Sequence, residues 1–337
     1  MARHGRKKRT TLRESLLLFT KKAFSLRKRP AFIALGLILL FLPGNGYYQD
    51  LSLIPDQSSL RPIPFELPPV SPYPVPIEGI AKPAISARAG AVVDVGSAVV
   101  LYTKNPTQQL FPASTTKIMT ALVVLKAYPL DQVITVKQAD RAIGQTMNLV
   151  PGERMTVENL LYGLLLESGN DAAFALAENY PGGYYAFVDQ MNALAREIHL
   201  ENTRFRNVSG VEQNGHYTTV LDLARLASVA MKDTTFAKIV GTKTAVVTDV
   251  DAQRVHPLEN KNELLGEVEG IRGVKTGWTE LAGECLVTDT IRDGKEIIAV
   301  VLGSANRFGD SERLIEWAYS AHTWKTLDEL LSEGEGQ

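Results

Sequence analysis

Phe111-Pro112-Ala113-Ser114-Thr115-Thr116-Lys117-Ile118-Met119-Thr120 is the stretch from which the rest of this chain can be read. Pro112 cannot lie inside a helix, but it suits the residues that lead into one. From Thr115 to Ala127, apolar Ile118, Met119, Leu122, Val123 and Leu125 predict a helix, with Ser114 at or near its N-cap. Positions three apart share one face of a helix, so the Ser114 hydroxyl and the Lys117 amine meet. A serine hydroxyl is a poor nucleophile until a base takes its proton, and Lys117 is the candidate base.

Two further short words follow in order. Ser168-Gly169-Asn170 offers a hydroxyl and an amide in a loop between two apolar helical stretches. Lys275-Thr276-Gly277 puts a cation, a hydroxyl and a glycine at the start of a strand-like stretch. Each word alone arises by chance in chains of this length. Their order, spacing and context together read as an acyl-transfer site with no histidine in it. The five histidines are scattered, Cys285 stands alone in an apolar run, and no glycine-rich phosphate loop occurs. Neither metal nor nucleotide cofactor is implied.

The triplet of motifs matches the S-x-x-K, S-D-N and K-T-G set of β-lactamases and penicillin-binding proteins, with Ser-Gly-Asn as a departure in the middle. That departure and the text around it resemble the D-alanyl-D-alanine carboxypeptidases, the low-molecular-mass penicillin-binding serine peptidases. The likeness runs from about Ala89 to Trp317. It includes Val99–Asn105, Glu167–Ala173, Asn207-Val208-Ser209-Gly210, Gly215-His216-Tyr217-Thr218-Thr219, Gly273–Thr279, Ala282–Val287 and Ala299–Gly303.

The resemblance implies the penicillin-recognising α+β fold, an antiparallel sheet flanked by helices. It implies a membrane-tethered, extracytoplasmic D,D-carboxypeptidase that trims terminal D-alanine from peptidoglycan stem peptides through a Ser114 acyl-enzyme, with β-lactams as inhibitors. Ser168 would relay a proton to the leaving amine, and Asn170 would hold Lys117 and the substrate amide. The backbone N–H groups of the Ser114 helix and of Trp278 would receive the oxyanion. Lys275 and Thr276 would take the substrate carboxylate, and Gly277 would let substrate backbone approach closely. Arg307 reads either as a second cation for that carboxylate or as a surface arginine. A D,D-endopeptidase, a β-lactamase and a silent wall-binding protein are the alternatives. No segment between Asn170 and Lys275 resembles the deacylating glutamate region of class A β-lactamases.

The chain has 337 residues and a formal net charge of −1. Residues 1–30 carry eleven Lys or Arg against Glu14, so the basic charge is a tail and the remainder is near −11. Residues 31–43 hold a dozen apolar residues ended by Pro43, the length of a signal h-region and short of the ~20 of a full membrane helix. Cations before the run and none just after fit an N-terminus inside the cell. A retained anchor and a cleaved signal peptide both remain open. Nine of the 17 prolines fall between Pro55 and Pro83, so residues 44–85 read as an extended extracytoplasmic spacer. Residues 86–325 then form the catalytic domain and 326–337 an acidic tail, with no counterpart of the family's frequent C-terminal β-domain.

Thr156 and Thr219 read as N-caps, with Glu158 and Asp222 in the first turns behind them. Strands are expected at Ala91–Asp94, Ala98–Thr103, Thr244–Val250, Gly273–Trp278, Ala282–Thr288 and Ile297–Leu302, and a closing helix at Ser311–Thr323. Strands at both ends with helices between them predict one α+β domain whose sheet is assembled from distant segments.

Overall fold

The computed structural model describes residues 33, 34, 37, 71–138 and 144–334. Residues 1–68 and 69–337 are separate units. Of the first, only Ile33, Ala34 and Leu37 are described, all three helical and exposed. The expected basic tail, and the rest of the apolar segment, lie outside the described residues. Among the described residues no helix is long and apolar enough to cross a membrane.

In chain order the strands are β1 Tyr73–Pro76, β2 Ala89–Asp94, β3 Val100–Lys104, β4 Val133–Thr135, β5 Arg154–Thr156, β6 Thr244–Thr248, β7 Val255–Glu259, β8 Ile271–Thr279, β9 Gly283–Arg292, β10 Lys295–Ser304 and β11 His322–Lys325. The helices are α1 Lys117–Ala127, α2 Val157–Leu165, α3 Asn170–Glu178, α4 Gly183–Glu197, α5 Val220–Ala230, α6 Thr234–Val240, α7 Arg307–Ser320 and α8 Leu327–Gly334.

The main sheet is antiparallel and five-stranded, in the order β3-β2-β10-β9-β8. Its central strand β10 shows why it has layers on both faces. Side chains alternate across a strand, and here both sets are apolar. Ile298, Val300 and Leu302 join the core shared with α1 to α5, while Ile297, Ala299 and Val301 join a second core with Leu314, Ile315 and Trp317 of α7. The helices α1 to α6 are therefore a long insertion between β3 and β8, packed on one face, with α7 on the other.

Several sequence expectations need correction. Thr244–Thr248 is a strand, but it pairs with β7 as a separate hairpin and not with the main sheet. The spacer expected to reach residue 85 gives way earlier, since Tyr73–Pro76 pairs with His322–Lys325. Alternating prolines tolerate this because β1 has one hydrogen-bonded neighbour among the described residues, so a proline nitrogen can face away from the ladder. The acidic tail carries a helix, α8. Ser114 is not an N-cap: residues Ala113–Thr116 form a 3₁₀ turn preceding α1, and no side chain caps either. Thr156 and Thr219 do cap, accepting from Asn159 N and Asp222 N, each at 3.2 Å.

The entry to the domain and the end of β10 are bound together at Asp310, in the first turn of α7 and fully buried. Its carboxylate accepts from the Ser86 hydroxyl at 2.6 Å, from Ser86 N and Ala87 N at 3.0 and 2.9 Å, and from the Ser304 hydroxyl at 2.6 Å. Burial alone would raise its pKa, but the bonds from Ser304 and Ser86, with one from the Arg313 guanidinium, outweigh it and hold the group down to about 2.

Candidate active site

The 3₁₀ turn at Ala113–Thr116 brings Ser114 to Lys117, because residues three apart eclipse in that geometry. Lys117 Nζ lies 2.9 Å from Ser114 Oγ, 2.6 Å from Asn170 Oδ1 and 2.9 Å from the Ser209 carbonyl oxygen. The last two partners can only accept. A neutral amine has two N–H bonds and one lone pair, so with both hydrogens committed the lone pair faces the Ser114 hydroxyl. The neutral state is accessible because burial pushes the Lys117 pKa well below the ordinary lysine value, with the Lys275 charge adding to it and Asp171 opposing.

A cleft of about 750 Å³ opens over this pair, lined in part by Ser114, Ser168, Asn170, Thr276, Gly277, Trp278 and Arg307. Ser168 sits between α2 and α3 with φ of +62°, and its Oγ is buried with no hydrogen-bond partner among the described residues. Next to Asn170, the buried Asp171 carboxylate accepts from Met147 N and Leu149 N at 3.0 and 2.9 Å, fixing the loop that borders the cleft.

Strand β8 forms the opposite wall. Lys275 is 2 % exposed, its Nζ donating to the Thr276 carbonyl at 3.1 Å. Burial, with the Arg307 guanidinium adding to it, lowers its pKa to about 7. Arg307 Nη1 donates to the Gly277 carbonyl at 3.4 Å, so Arg307 stands at the cleft and not on remote surface. Trp278 is 63 % exposed at the rim. What Gly277 accommodates is the Ser114 turn itself: a Cβ there would lie 2.9 Å from Ser114 N and 3.0 Å from Ala113 Cβ. The strand thus lies directly against the amide at the start of the Ser114 turn.

Three contributors escaped sequence reasoning. The Ser209 carbonyl is backbone, and only the surrounding Asn207–Gly210 stretch hinted at it. Gly210 has φ of +90° and a Cβ there would lie 1.8 Å from the Ala113 carbonyl oxygen, so this loop is pressed against the Ser114 turn. His216, in the Gly215–Thr219 stretch, holds Thr116 Oγ1 at 3.0 Å, on the residue between Ser114 and Lys117. Burial pushes His216 down to about 4, keeping its ring neutral near pH 7.

The sheet flanked by helices, with a serine and lysine meeting beneath a cleft walled by an edge strand, is a penicillin-binding-protein-like fold. The crystal structure of the Streptomyces K15 DD-transpeptidase matches it with a TM-score of 0.69 at 36% identity, over 72% of this chain and 100% of that one. The family model for D-alanyl-D-alanine carboxypeptidases matches residues 78–306. The chain belongs to that family of serine peptidases. It is 36% identical over 265 residues to a D-alanyl-D-alanine carboxypeptidase of Streptomyces sp. (strain K15), covering 73% of this chain and 91% of that one. To D-alanyl-D-alanine carboxypeptidase DacF of Bacillus subtilis it is 34% identical over 248 residues, 71% of this chain and 64% of the relative's length.

Proposed function

We propose that this chain is a D,D-carboxypeptidase that removes terminal D-alanine from peptidoglycan stem peptides. The observation that carries the reading is the Lys117 amine, buried and bound to two pure acceptors, with its third position on Ser114 Oγ. Neutral Lys117 takes the hydroxyl proton as Ser114 Oγ attacks the carbonyl of the penultimate D-alanine. The oxyanion is received by the Ser114 and Trp278 amides. Collapse of the tetrahedral adduct expels the D-alanine amine, which gains a proton through Ser168. Water then hydrolyses the ester and restores Ser114.

Lys275, Thr276 and Arg307 receive the terminal carboxylate. An arriving anion favours the charged form of Lys275, offsetting the burial that lowers its pKa. The same geometry accepts a β-lactam, whose amide opens onto Ser114 and stays. Residues 31–43 insert the chain in the plasma membrane with the catalytic domain outside, residues 1–30 remain inside, and the proline-rich segment holds the domain off the surface.

The test is fluorescent penicillin labelling together with mass analysis of a muropeptide pentapeptide and a cross-linked dimer. Parent protein should label and release D-alanine from the pentapeptide, whereas Ser114→Ala should do neither while keeping its fold. Labelling of the alanine variant would sink the assignment. Cleavage of the dimer in preference to the pentapeptide would make the protein an endopeptidase.

A further inference from the structure

Beside the catalytic cleft lies a second cavity, of about 710 Å³, that the proposed chemistry does not use. One wall is α4, carrying Tyr185, Asp189 and Arg196; the other carries Arg204, Arg206 and Tyr217. This second wall is firmly built. Arg204 and Tyr217 exchange backbone hydrogen bonds at 2.9 and 3.1 Å. Phe205 between the arginines is 1 % exposed, and its N–H and carbonyl are both held by the Asn192 side chain at 2.9 Å. Alternation along an extended segment then puts Arg204 and Arg206 on one side, opposite Phe205.

None of these three guanidiniums has an ion pair or side-chain hydrogen bond among the described residues, although Arg154, Arg272, Arg292 and Arg313 all take carboxylate partners. Asp189, in the same groove, pairs with none of them. Residues 71–337 carry 33 acidic and 24 basic side chains, so a cluster of uncommitted arginines runs against the charge of the domain. A planar guanidinium fork matches a carboxylate or phosphate. The loop at 207–217 separates groove from cleft: Val211 and Glu212 line the cleft, Gln213 and Tyr217 the groove. Asn207 ties that loop to itself, donating to the Val211 carbonyl at 2.7 Å and accepting from Gly210 N at 2.8 Å.

We propose that the groove is a second subsite for the same polymer, in which Arg196, Arg204 and Arg206 bind carboxylates of a neighbouring stem peptide while one stem end occupies the cleft. This rests on the reading of the chain as a peptidoglycan peptidase. Its polymeric substrate repeats free carboxylates along the strand. A site one loop away from Ser114 meets the next of them, with the rings of Tyr185 and Tyr217 available to sugar faces. Three exposed charged contacts add modest affinity each, felt on polymer and not on a small peptide.

The experiment compares the full chain with an Arg196→Gln, Arg204→Gln, Arg206→Gln variant, each also made with Ser114→Ala for binding. Expected for the triple variant are penicillin labelling and pentapeptide turnover within about twofold of the parent, and D-alanine release from sacculi lowered about tenfold. Sedimentation of the Ser114→Ala chain with sacculi stripped of phosphate polymers should weaken equally on arginine substitution and on amidation of the sacculus carboxylates. Equal turnover of sacculi by parent and variant would overturn the proposal. So would binding unaffected by amidation, or binding lost with the three arginines on poly(glycerol phosphate) or anionic vesicles and not on sacculi. Should the parent neither label nor release D-alanine, the catalytic reading fails, while the sedimentation comparison still decides the groove.

Discussion

Lys117 and Lys275 are both buried lysines, and the proposed mechanism gives them different duties. In it Lys117 must be neutral to accept a proton, whereas Lys275 is useful when charged. Lys117→Arg keeps a cation but supplies a group that stays protonated, so acylation by penicillin should fall by about 10²–10⁴. Lys275→Arg should retain partial labelling. For the parent, the sign of the pH dependence follows from the same shifts. As pH rises, Lys117 deprotonates and kcat climbs to a plateau. As pH rises through about 7, Lys275 loses its charge, so KM for a carboxylate-bearing peptide should rise as well. A kcat that falls over that limb would remove Lys117 as the base. Ser114, Lys117, Ser168, Asn170 and the Lys275–Gly277 word were legible because they are side chains in short local patterns. The Ser209 carbonyl was not, since any residue supplies a carbonyl and only the fold decides where it points.

At the scale of elements, the Ser114 turn is shaped from outside as much as by its own sequence. Gly210 and Gly277 close on it from two sides, and a methyl group fits at neither without movement. Gly210→Ala combines an unfavourable φ with a clash against the Ala113 carbonyl. It should lower penicillin acylation about 100-fold through misplacement of Ser114, with helical circular dichroism retained. An alanine variant acylating at the parental rate would show that this loop does not set the turn. Capping gives a contrasting expectation. Thr219→Ala removes a cap and should cost about 1 kcal/mol in denaturant unfolding, whereas Ser114→Ala has no cap to lose and should cost less. The caps and main strands could be read because they follow local periodicity and side-chain chemistry. The 3₁₀ turn, the β6–β7 hairpin and the β1–β11 pair could not, because each depends on a partner distant in sequence or on a backbone choice the residues leave open.

For the whole molecule, the question is where the spacer ends and the folded unit begins. Proline density argues for residue 85, but β1 binds β11 through Tyr73–Pro76, and Ile77 N continues the contact by donating to the Ala321 carbonyl at 2.8 Å. The next residues are also held: Tyr102 donates to the Pro83 carbonyl at 3.3 Å, and Lys104 Nζ to the Ile85 carbonyl at 2.9 Å. A chain beginning at Pro69 retains all of this. One beginning at Ser86 loses the strand over β11, the buried Ile85 side chain and both carbonyl partners, and sets a charged terminus beside the Asp310 carboxylate. Both shortened chains should leave the membrane fraction, whereas the full chain should sediment with membranes and resist high salt, which a basic tail alone would not. The two should differ in stability, the shorter melting roughly 5–10 °C lower, as expected for a loss of 2–3 kcal/mol in a domain of this size. It should also be the more prone to associate, because β11 becomes an open edge. Equal melting temperatures would mean that residues 73–85 decorate the domain without stabilising it, and that the proline-rich spacer is energetically free up to residue 85.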